Sequence, residues 1–311
     1  MNPVSCSVLT EGYAGLQAQA LGLAEAAGLS PEVQVLAPRA PWRWVAASLW
    51  PMPLRAVRDP VRMPLPELAI TCGGVGAAVG AALHRRGSRV VQVQHPRMDP
   101  RRFDLVVANR HDGLTGPNVF VTRTALHRAT PARLLEAAKR WGPVFAALPR
   151  PRVAVLVGGN SGRFRLGAPE VASLGTLLAE MVRRDEVGLM VTPSRRTDPA
   201  VVAALQAALA PLGAYVWDGA GENPYFGLLG LADAIIATVD SVSMVSEAVA
   251  TRAPVMLAQL PGRSRRQWYF MEALRREGRV RDFTGRLEMW PVEPLDDTPE
   301  AAAEMRRRLG I

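Results

Sequence analysis

The sequence predicts an α/β protein of two domains, each a mostly parallel sheet with helices on both faces. Three observations predict it. Apolar runs of strand length alternate with helix-length segments along almost the whole chain. The alternation is broken by a stretch rich in proline around residues 141–152, WGPVFAALPRPR. At 311 residues and a hydrophobic fraction of 49%, the chain holds enough apolar material for two cores and is not disordered.

The first half opens with an apolar run from Val4 to Leu9. A turn of small residues follows (Gly12, Gly15), then a helical stretch from Leu16 to Ala27 and a short strand from Val33 to Leu36. Residues 38–66 are rich in Pro, Trp and Arg and have no clean period. The alternation then resumes with strands at 68–72, 89–94 and 104–107 and a helix at 77–86. In the second half the strands fall at 153–157, 188–192, 214–217, 234–238 and 255–258. Helices lie near 169–184, 199–210, 224–231, 243–251 and 265–277. Near the end, Asp297 or Thr298 caps a helix whose first turn holds Pro299. The expected domains are therefore 1–148 and 149–296, with 297–311 as a helix packing back on the first. A cleft between two such domains is the usual place for a ligand.

The formal net charge of +9 and pI of about 10.7 favour anionic partners. Lys139 is the only lysine, so the charge is almost all Arg, which grips phosphate with a fixed fork of donors. The basic residues are scattered and no RNA or DNA motif occurs, so no nucleic acid is expected. Cys6 and Cys72 form no C-x-x-C pair, and neither a disulfide framework nor a structural zinc is expected. The start MNPVSCSVLTEG lacks the basic residues of a secretory signal, and the apolar window 65–83 breaks into strand and helix. A cytoplasmic location is expected. Trp42, Trp44 and Trp50 lie among Arg39, Arg43, Arg55, Arg58 and Arg62, with Asp59 the only acid between residues 38 and 63. This suits weak peripheral attachment to an anionic membrane on its inner face, against the plainer alternative of ordinary Trp burial.

The strongest constellation lies between Leu231 and Gln267. A buried strand ends at Thr238, Asp240, Ser241 and Ser243 sit at the turn, and a helix opens there with Glu247 in its early turns. Unpaired amides and partial positive charge at a helix start suit an anion. Ser241 and Ser243 add hydroxyls, and Glu247 can accept from a ribose diol. The plain alternative is capping, with Glu247 a helix-surface acid. Gly158, Gly159, Asn160, Ser161 and Gly162 follow the first strand of the second half and let backbone approach a ligand, or simply turn tightly. Ser194, Arg195, Arg196 and Thr197 end the next strand on the same edge of the sheet. Two Arg flanked by hydroxyls suit phosphate oxygens. Asn223 and Tyr225 read a base or cap a helix. Gly74-x-Gly76-x-x-x-Gly80 is one residue too long for a dinucleotide fingerprint and reads as close helix–sheet packing. A general base is sought among His95, Asp99, His111 and Asp112, in loops of the first half. No carboxylate cluster demands a metal, and no cofactor is expected.

The stretch from Ala232 to Pro254 resembles the donor-nucleotide segment of GT-B glycosyltransferases, especially the GlcNAc transferase type acting on peptidoglycan precursors. The matches are Ala232, Asp233, Ser241, Ser243, Glu247 and Pro254, and Arg252 departs from the usual Gly. The resemblance implies backbone and Ser contacts to a pyrophosphate, Glu247 on the ribose, and Arg266 and Gln267 facing the donor sugar. The strings SRRT (194–197), WDGAGENPY (217–225), TVDSVSMVSEA (238–248), HDGLTGPNV (111–119) and LPRPRVAVLVGGNSG (148–162) resemble the mitochondrial fission, or elongated-mitochondria, family. That family is widespread in bacteria and is named for a plant member acting at the mitochondrial surface. Together the resemblances imply two Rossmann-like domains of GT-B type facing each other across a cleft. They imply a metal-independent glycosyltransferase that uses a nucleotide-diphosphate sugar in envelope glycan or glycolipid synthesis. The alternative is a non-catalytic adaptor, or a membrane-associated interaction protein, on the same fold.

Overall fold

The computed structural model describes residues 5–311. It contains two compact units: residues up to 128 together with 296–311, and residues 129–295. In the first unit the elements are β1 (Cys6–Thr10), α1 (Ala14–Ala26), β2 (Glu32–Val35), α2 (Pro53–Ala56), β3 (Leu68–Cys72), α3 (Gly73–His84), β4 (Arg89–Val93), β5 (Leu105–Asn109) and β6 (Val119–Thr122). Val4, where the first apolar run was expected to begin, lies outside the described residues. The second unit holds α4 (Pro131–Trp141), β7 (Arg152–Val157), α5 (Ala168–Asp185), β8 (Gly188–Pro193), α6 (Pro199–Leu209), β9 (Tyr215–Val216), α7 (Tyr225–Leu231), β10 (Ala234–Thr238), α8 (Val242–Val249), β11 (Val255–Ala258), α9 (Arg265–Arg276) and β12 (Val280–Asp282). The chain then returns to the first unit with α10 (Thr298–Leu309).

The first sheet is parallel throughout, in the order β2-β1-β3-β4-β5-β6. Helices cover both of its faces, so β3 and β5 are buried along their whole length and apolar except for Thr71 and Asn109, rather than alternating. The glycines of α3 serve this packing. A Cβ on Gly76 would stand 3.1 Å from the Leu9 carbonyl oxygen, and one on Gly80 would stand 3.0 Å from Thr71. Close approach of helix to sheet explains Gly76 and Gly80, whereas a Cβ on Gly74 would meet nothing within 4 Å. On the other face α10 buries Ala301, Ala302 and Met305 in one cluster with Ala20, Leu23 and Ala24 of α1. Asp297 sits at the α10 cap position, but its carboxylate does not cap. It accepts from the Arg123 guanidinium and from the backbone amide of Thr124, and Asp296 accepts from Thr298 N at 2.8 Å instead.

The second sheet is also parallel, in the order β12-β11-β10-β7-β8-β9. The stretch read as a linker is packed into this unit. Phe145 is fully buried, 6.0 Å from the Trp141 ring and edge-on to Tyr215 at 4.9 Å. Helix α4 lies along α7, where Gly227 and Gly230 leave room: a Cβ on either would stand 2.5 Å from Trp141 or from the Leu134 carbonyl oxygen. At the carbonyl end of α8, buried Arg279 donates to the carbonyls of Val249, Thr251 and Ala253. Burial pulls its pKa down to about 10.

Strand β7 places the site. The chain goes from β7 outward to β8 and β9, then returns to the other side of β7 for β10, β11 and β12. The carboxyl ends of β7 and β10 therefore flank the point where strand order reverses. In open α/β sheets this is where a crevice forms.

Candidate functional site

The turns after β7, β8 and β10 meet at this reversal point. Thr238, the last residue of β10, is buried; its hydroxyl accepts from Gly158 N at 2.8 Å and donates to Asp240 Oδ1 at 2.6 Å. Asp240 is buried too. Its Oδ2 accepts from Gly159 N at 3.2 Å and from the Arg196 guanidinium at 3.0 Å. Its backbone carbonyl accepts from Gln267 Nε2 at 2.7 Å and from Ser161 Oγ at 3.4 Å. Gly158 and Gly159 are thus needed for reasons internal to the fold. A Cβ on Gly158 would stand 2.0 Å from the Asp240 carboxylate, and one on Gly159 would stand 2.2 Å from the Arg196 carbonyl. The groups they let in, a carboxylate at Gly158 and backbone at Gly159, belong to this chain's own β10 and β8 turns.

The β8 turn is ordered by its hydroxyls. Thr197 Oγ1 accepts from Ser194 N at 2.9 Å and donates to the Gly158 carbonyl, while Ser194 Oγ accepts from Arg196 N at 3.2 Å. This fixes the backbone under Arg196, so its guanidinium reaches across to Asp240. Arg195 is exposed. The two arginines, adjacent in sequence, are therefore unlike: one is held in an ion pair, and the other is out in solvent. Asn160 Oδ1 accepts from Leu166 N at 3.0 Å and orders the turn after β7.

Helix α8 opens directly after Asp240. Ser241 is its N-cap, with Oγ accepting from Met244 N at 3.3 Å, and Ser243 lies in the first turn. Glu247 is not the helix-surface acid of the capping alternative. It is buried, and the Tyr225 hydroxyl donates to its Oε2 at 2.5 Å. Its other oxygen accepts no hydrogen bond from the described residues. Burial pushes the Glu247 carboxyl up to about 7, against the opposing pull of the Tyr225 hydrogen bond. Burial and the neighbouring carboxylate hold the Tyr225 phenol well above its ordinary value. Asn223, one residue before the α7 N-cap Pro224, accepts from Tyr225 N at 2.9 Å. On α9, Arg266 follows the helix start and Gln267 turns inward to Asp240. Beside Gln267 a cavity of about 500 Å³ is walled by Phe164, Val239, Leu260 and Trp268, with Arg265 at its rim.

The remaining candidates belong to the first unit. His95 Nδ1 accepts from Arg97 N at 2.8 Å, and both Gln94 and Arg97 have positive φ in that turn. His111 and Asp112 share the short turn after β5, with His111 Nε2 at 3.9 Å from Asp112 Oδ1. Among the described residues no three His, Cys, Asp or Glu side chains gather so as to hold a metal ion. No helix of the described residues is long and apolar enough to cross a membrane.

Comparison with known proteins supplies the family. A family profile described as "Mitochondrial fission ELM1" matches residues 14–309. The chain belongs to the mitochondrial fission ELM1 family. Its relatives include the mitochondrial fission protein ELM1 of Arabidopsis thaliana, 35% identical over 280 residues. That match covers 78% of this chain and 64% of the plant protein, so the chain spans less than two thirds of that relative's length. An uncharacterized protein of Rickettsia prowazekii is 23% identical over 286 residues, covering 79% of this chain and 80% of that one. Among solved structures, the UDP-GlcNAc 2-epimerase of Neisseria meningitidis bound to UDP-GlcNAc aligns with a TM-score of 0.56 at 12% identity, covering 98% of this chain and 99% of that one. The MnaA–UDP structure of S. aureus aligns at 0.55 and 12%, covering 97% and 87%. MurG of Acinetobacter baumannii aligns at 0.52 and 16%, covering 99% and 90%. These likenesses give the fold of this family member: two α/β units of GT-B type.

For this ELM1-family chain, sequence reasoning missed two groups that matter at the site. Thr238 read only as the end of a strand, and Tyr225, named for reading a base or capping a helix, was not joined to Glu247. A buried polar residue closing an otherwise apolar strand, as in AIIAT-VD, is the signal that could have found the first.

Proposed function

We propose that this chain is a nucleotide-sugar-dependent glycosyltransferase acting in the cytoplasm on envelope glycan or glycolipid precursors. The observation that carries the reading is Arg196. One guanidinium, with its side chain 41% exposed, is held at the reversal point of the sheet, beside the Ser161 hydroxyl and the opening of α8. A pyrophosphate arriving there takes donors from Arg196, Ser161, Ser243 and the α8 amides, while the helix dipole offsets the charge of the leaving nucleotide diphosphate. Ribose hydroxyls donate to Glu247, whose free oxygen is available. The neighbours solved with UDP or UDP-GlcNAc support a uridine nucleotide as the first ligand to try. The candidates for a general base stay those named from the sequence, His95, Asp99, His111 and Asp112.

Calorimetry with UDP and UDP-GlcNAc tests this on the wild type, Glu247→Ala and Glu247→Gln. Wild type binds. Glu247→Ala loses about ten- to a hundredfold in affinity, the cost of roughly 1.5–3 kcal/mol for a hydrogen bond to a charged group. Glu247→Gln loses less, because its amide oxygen still accepts. Glu247 is buried, so Tyr225→Phe serves as a control for packing. Equal affinity of wild type and Glu247→Ala would remove the ribose role.

One observation favours the adaptor reading. Asp240 already occupies the Gly159 amide and Arg196, and Tyr225 already occupies Glu247, so these groups satisfy one another without a ligand. On that reading wild type binds neither UDP nor UDP-GlcNAc, and the fold acts through its surface.

A further inference from the structure

The segment between β2 and β3 has an inner side and an outer side of different character. Inside, Trp50, Ala56, Val57 and Val61 are buried in one cluster with Val75 and Val79 of α3. The Trp50 indole donates to the Val45 carbonyl at 3.0 Å. Two backbone bonds, Arg39 N to the Ala56 carbonyl and Arg58 N to the Ala37 carbonyl, close the segment at its base. Of the three tryptophans, then, Trp50 is a structural anchor, and Trp42 leans on it with ring centroids 6.4 Å apart.

Outside, the anchored frame holds apolar groups in water. Trp44 is 69% exposed, Leu49 71% and Met63 77%, and Val45 and Met52 are exposed beside them. Arg39, Arg43, Arg55 and Arg58 are exposed and make no ion pair with any described residue; Arg62 alone pairs, with Glu32 at 3.2 Å. The Arg43 guanidinium stands 4.2 Å from the centre of the Trp44 ring, so charge and aromatic surface are presented together. A solvated loop has no reason to hold out Trp, Leu and Met on a buried anchor. A nucleic-acid surface uses the arginines but leaves the aliphatic groups without a purpose.

We propose that residues 43–63 form a docking surface for a bilayer containing anionic phospholipid. Trp44, Leu49 and Met52 enter the interface, where Trp is favoured, and the unpaired arginines meet the phosphate headgroups. The frame is already folded, so docking costs little ordering entropy. Attachment is shallow and reversible, because only side chains enter. Arginines facing water are screened by salt, so attachment weakens as ionic strength rises.

Co-sedimentation of the full chain with vesicles tests this, comparing equal parts phosphatidylglycerol and phosphatidylcholine with phosphatidylcholine alone. Wild type partitions onto the anionic vesicles and weakly onto the neutral ones. Arg55→Gln and Arg58→Gln each lower partitioning about fivefold, and Trp44→Glu lowers it about tenfold or more. All three positions are exposed, so the variants keep the wild-type melting temperature. Equal partitioning onto neutral and anionic vesicles overturns the proposal. So does Trp44→Glu binding as wild type does. So does a Trp44→Glu change that disperses a dimer in sedimentation without altering vesicle binding, or arginine variants that lose duplex DNA but keep vesicles.

Discussion

At the reversal point of the first sheet, between β1 and β3, Glu11 turns its carboxylate to the start of α3 and accepts from Val75 N at 3.4 Å. At the reversal point of the second sheet, Asp240 accepts from Gly159 N and also from Arg196. Both crevices thus already hold one of the chain's own carboxylates at backbone amides. They differ in the cation. Glu11 makes no ion pair with any described residue, so an incoming anion would have to displace it with nothing to receive the displaced charge. Asp240 shares the partly exposed Arg196 guanidinium, the group that in the proposed function meets a phosphate. Two crevices of the same topology therefore differ: in the first the acid stands without a cation, and in the second it is paired with one.

The comparison breaks most sharply at glycines. Gly158→Ala drives a methyl group into the Asp240 carboxylate, at 2.0 Å before relaxation, and should cost about 3 kcal/mol or more. Gly74→Ala, in the first turns of α3, meets nothing within 4 Å. It should gain roughly 0.5–1 kcal/mol from helix propensity. Chemical denaturation of both variants checks the pair. A Gly158→Ala chain within a few tenths of a kcal/mol of wild type would mean that the second turn is not packed this way.

Next in size is the pH response of Glu247. Its carboxyl titrates at about 7 in the folded chain and at its ordinary 4.5 when unfolded. Between those values the unfolded chain has released the proton and the folded chain has not. Stability from this group is therefore fully present below about pH 4.5 and is lost as pH rises through 7, by roughly 3 kcal/mol in all. Glu247→Gln should remove that decline and be the more stable protein at pH 8; a profile parallel to wild type would count against it. An ionised acceptor holds a hydroxyl more strongly than a neutral one, so on the proposed function nucleotide affinity should rise over the same range while stability falls.

The smallest effect separates the two acids. Arg196→Gln leaves buried Asp240 with amide and hydroxyl partners but no cation. Discounted for the exposure of Arg196, it should cost about 1–2 kcal/mol. Glu11→Gln keeps an acceptor at the α3 start and should cost no more than about 0.5 kcal/mol. Thermal melts of the two single variants rank them, and equal losses would erase the distinction drawn between the crevices.

Much of this was legible before the coordinates. β3, β10 and β11 run residue for residue over the segments that composition picks out, because strands buried on both faces are continuous apolar runs with abrupt ends. Knowing where a strand ends locates its turn, so Gly158–Ser161, Ser194–Thr197 and Asp240–Ser243 could be named together. What joins them could not. The Arg196–Asp240 pair spans 44 positions of sequence and exists only because β7 is inserted between β8 and β10. Nor could the bond between Tyr225 on α7 and Glu247 on α8 be named, which lie 22 positions apart on either side of β10 in the chain. Four elements also escaped notice, the one-turn helix α2 among them. β6 and β12 are short edge strands with little apolar run to betray them. α4 has no fully buried residue and reads as a charged surface stretch. Its start, Thr130-Pro131, is nonetheless the cap signal that did reveal α10. The Pro-rich run misled for a plain reason: prolines mark turns, and here the turns carry Phe145 into a core.

The return of α10 to the first unit sets an order of assembly during synthesis. A ribosome delivers all of residues 129–295 before the first residue of α10 leaves it. The second unit can close on itself while the α1 face that receives Ala301, Ala302 and Met305 still lies open to water. The half of the protein made first is the half finished last, and until the final turn of helix arrives that open face is exposed to chaperones and to aggregation.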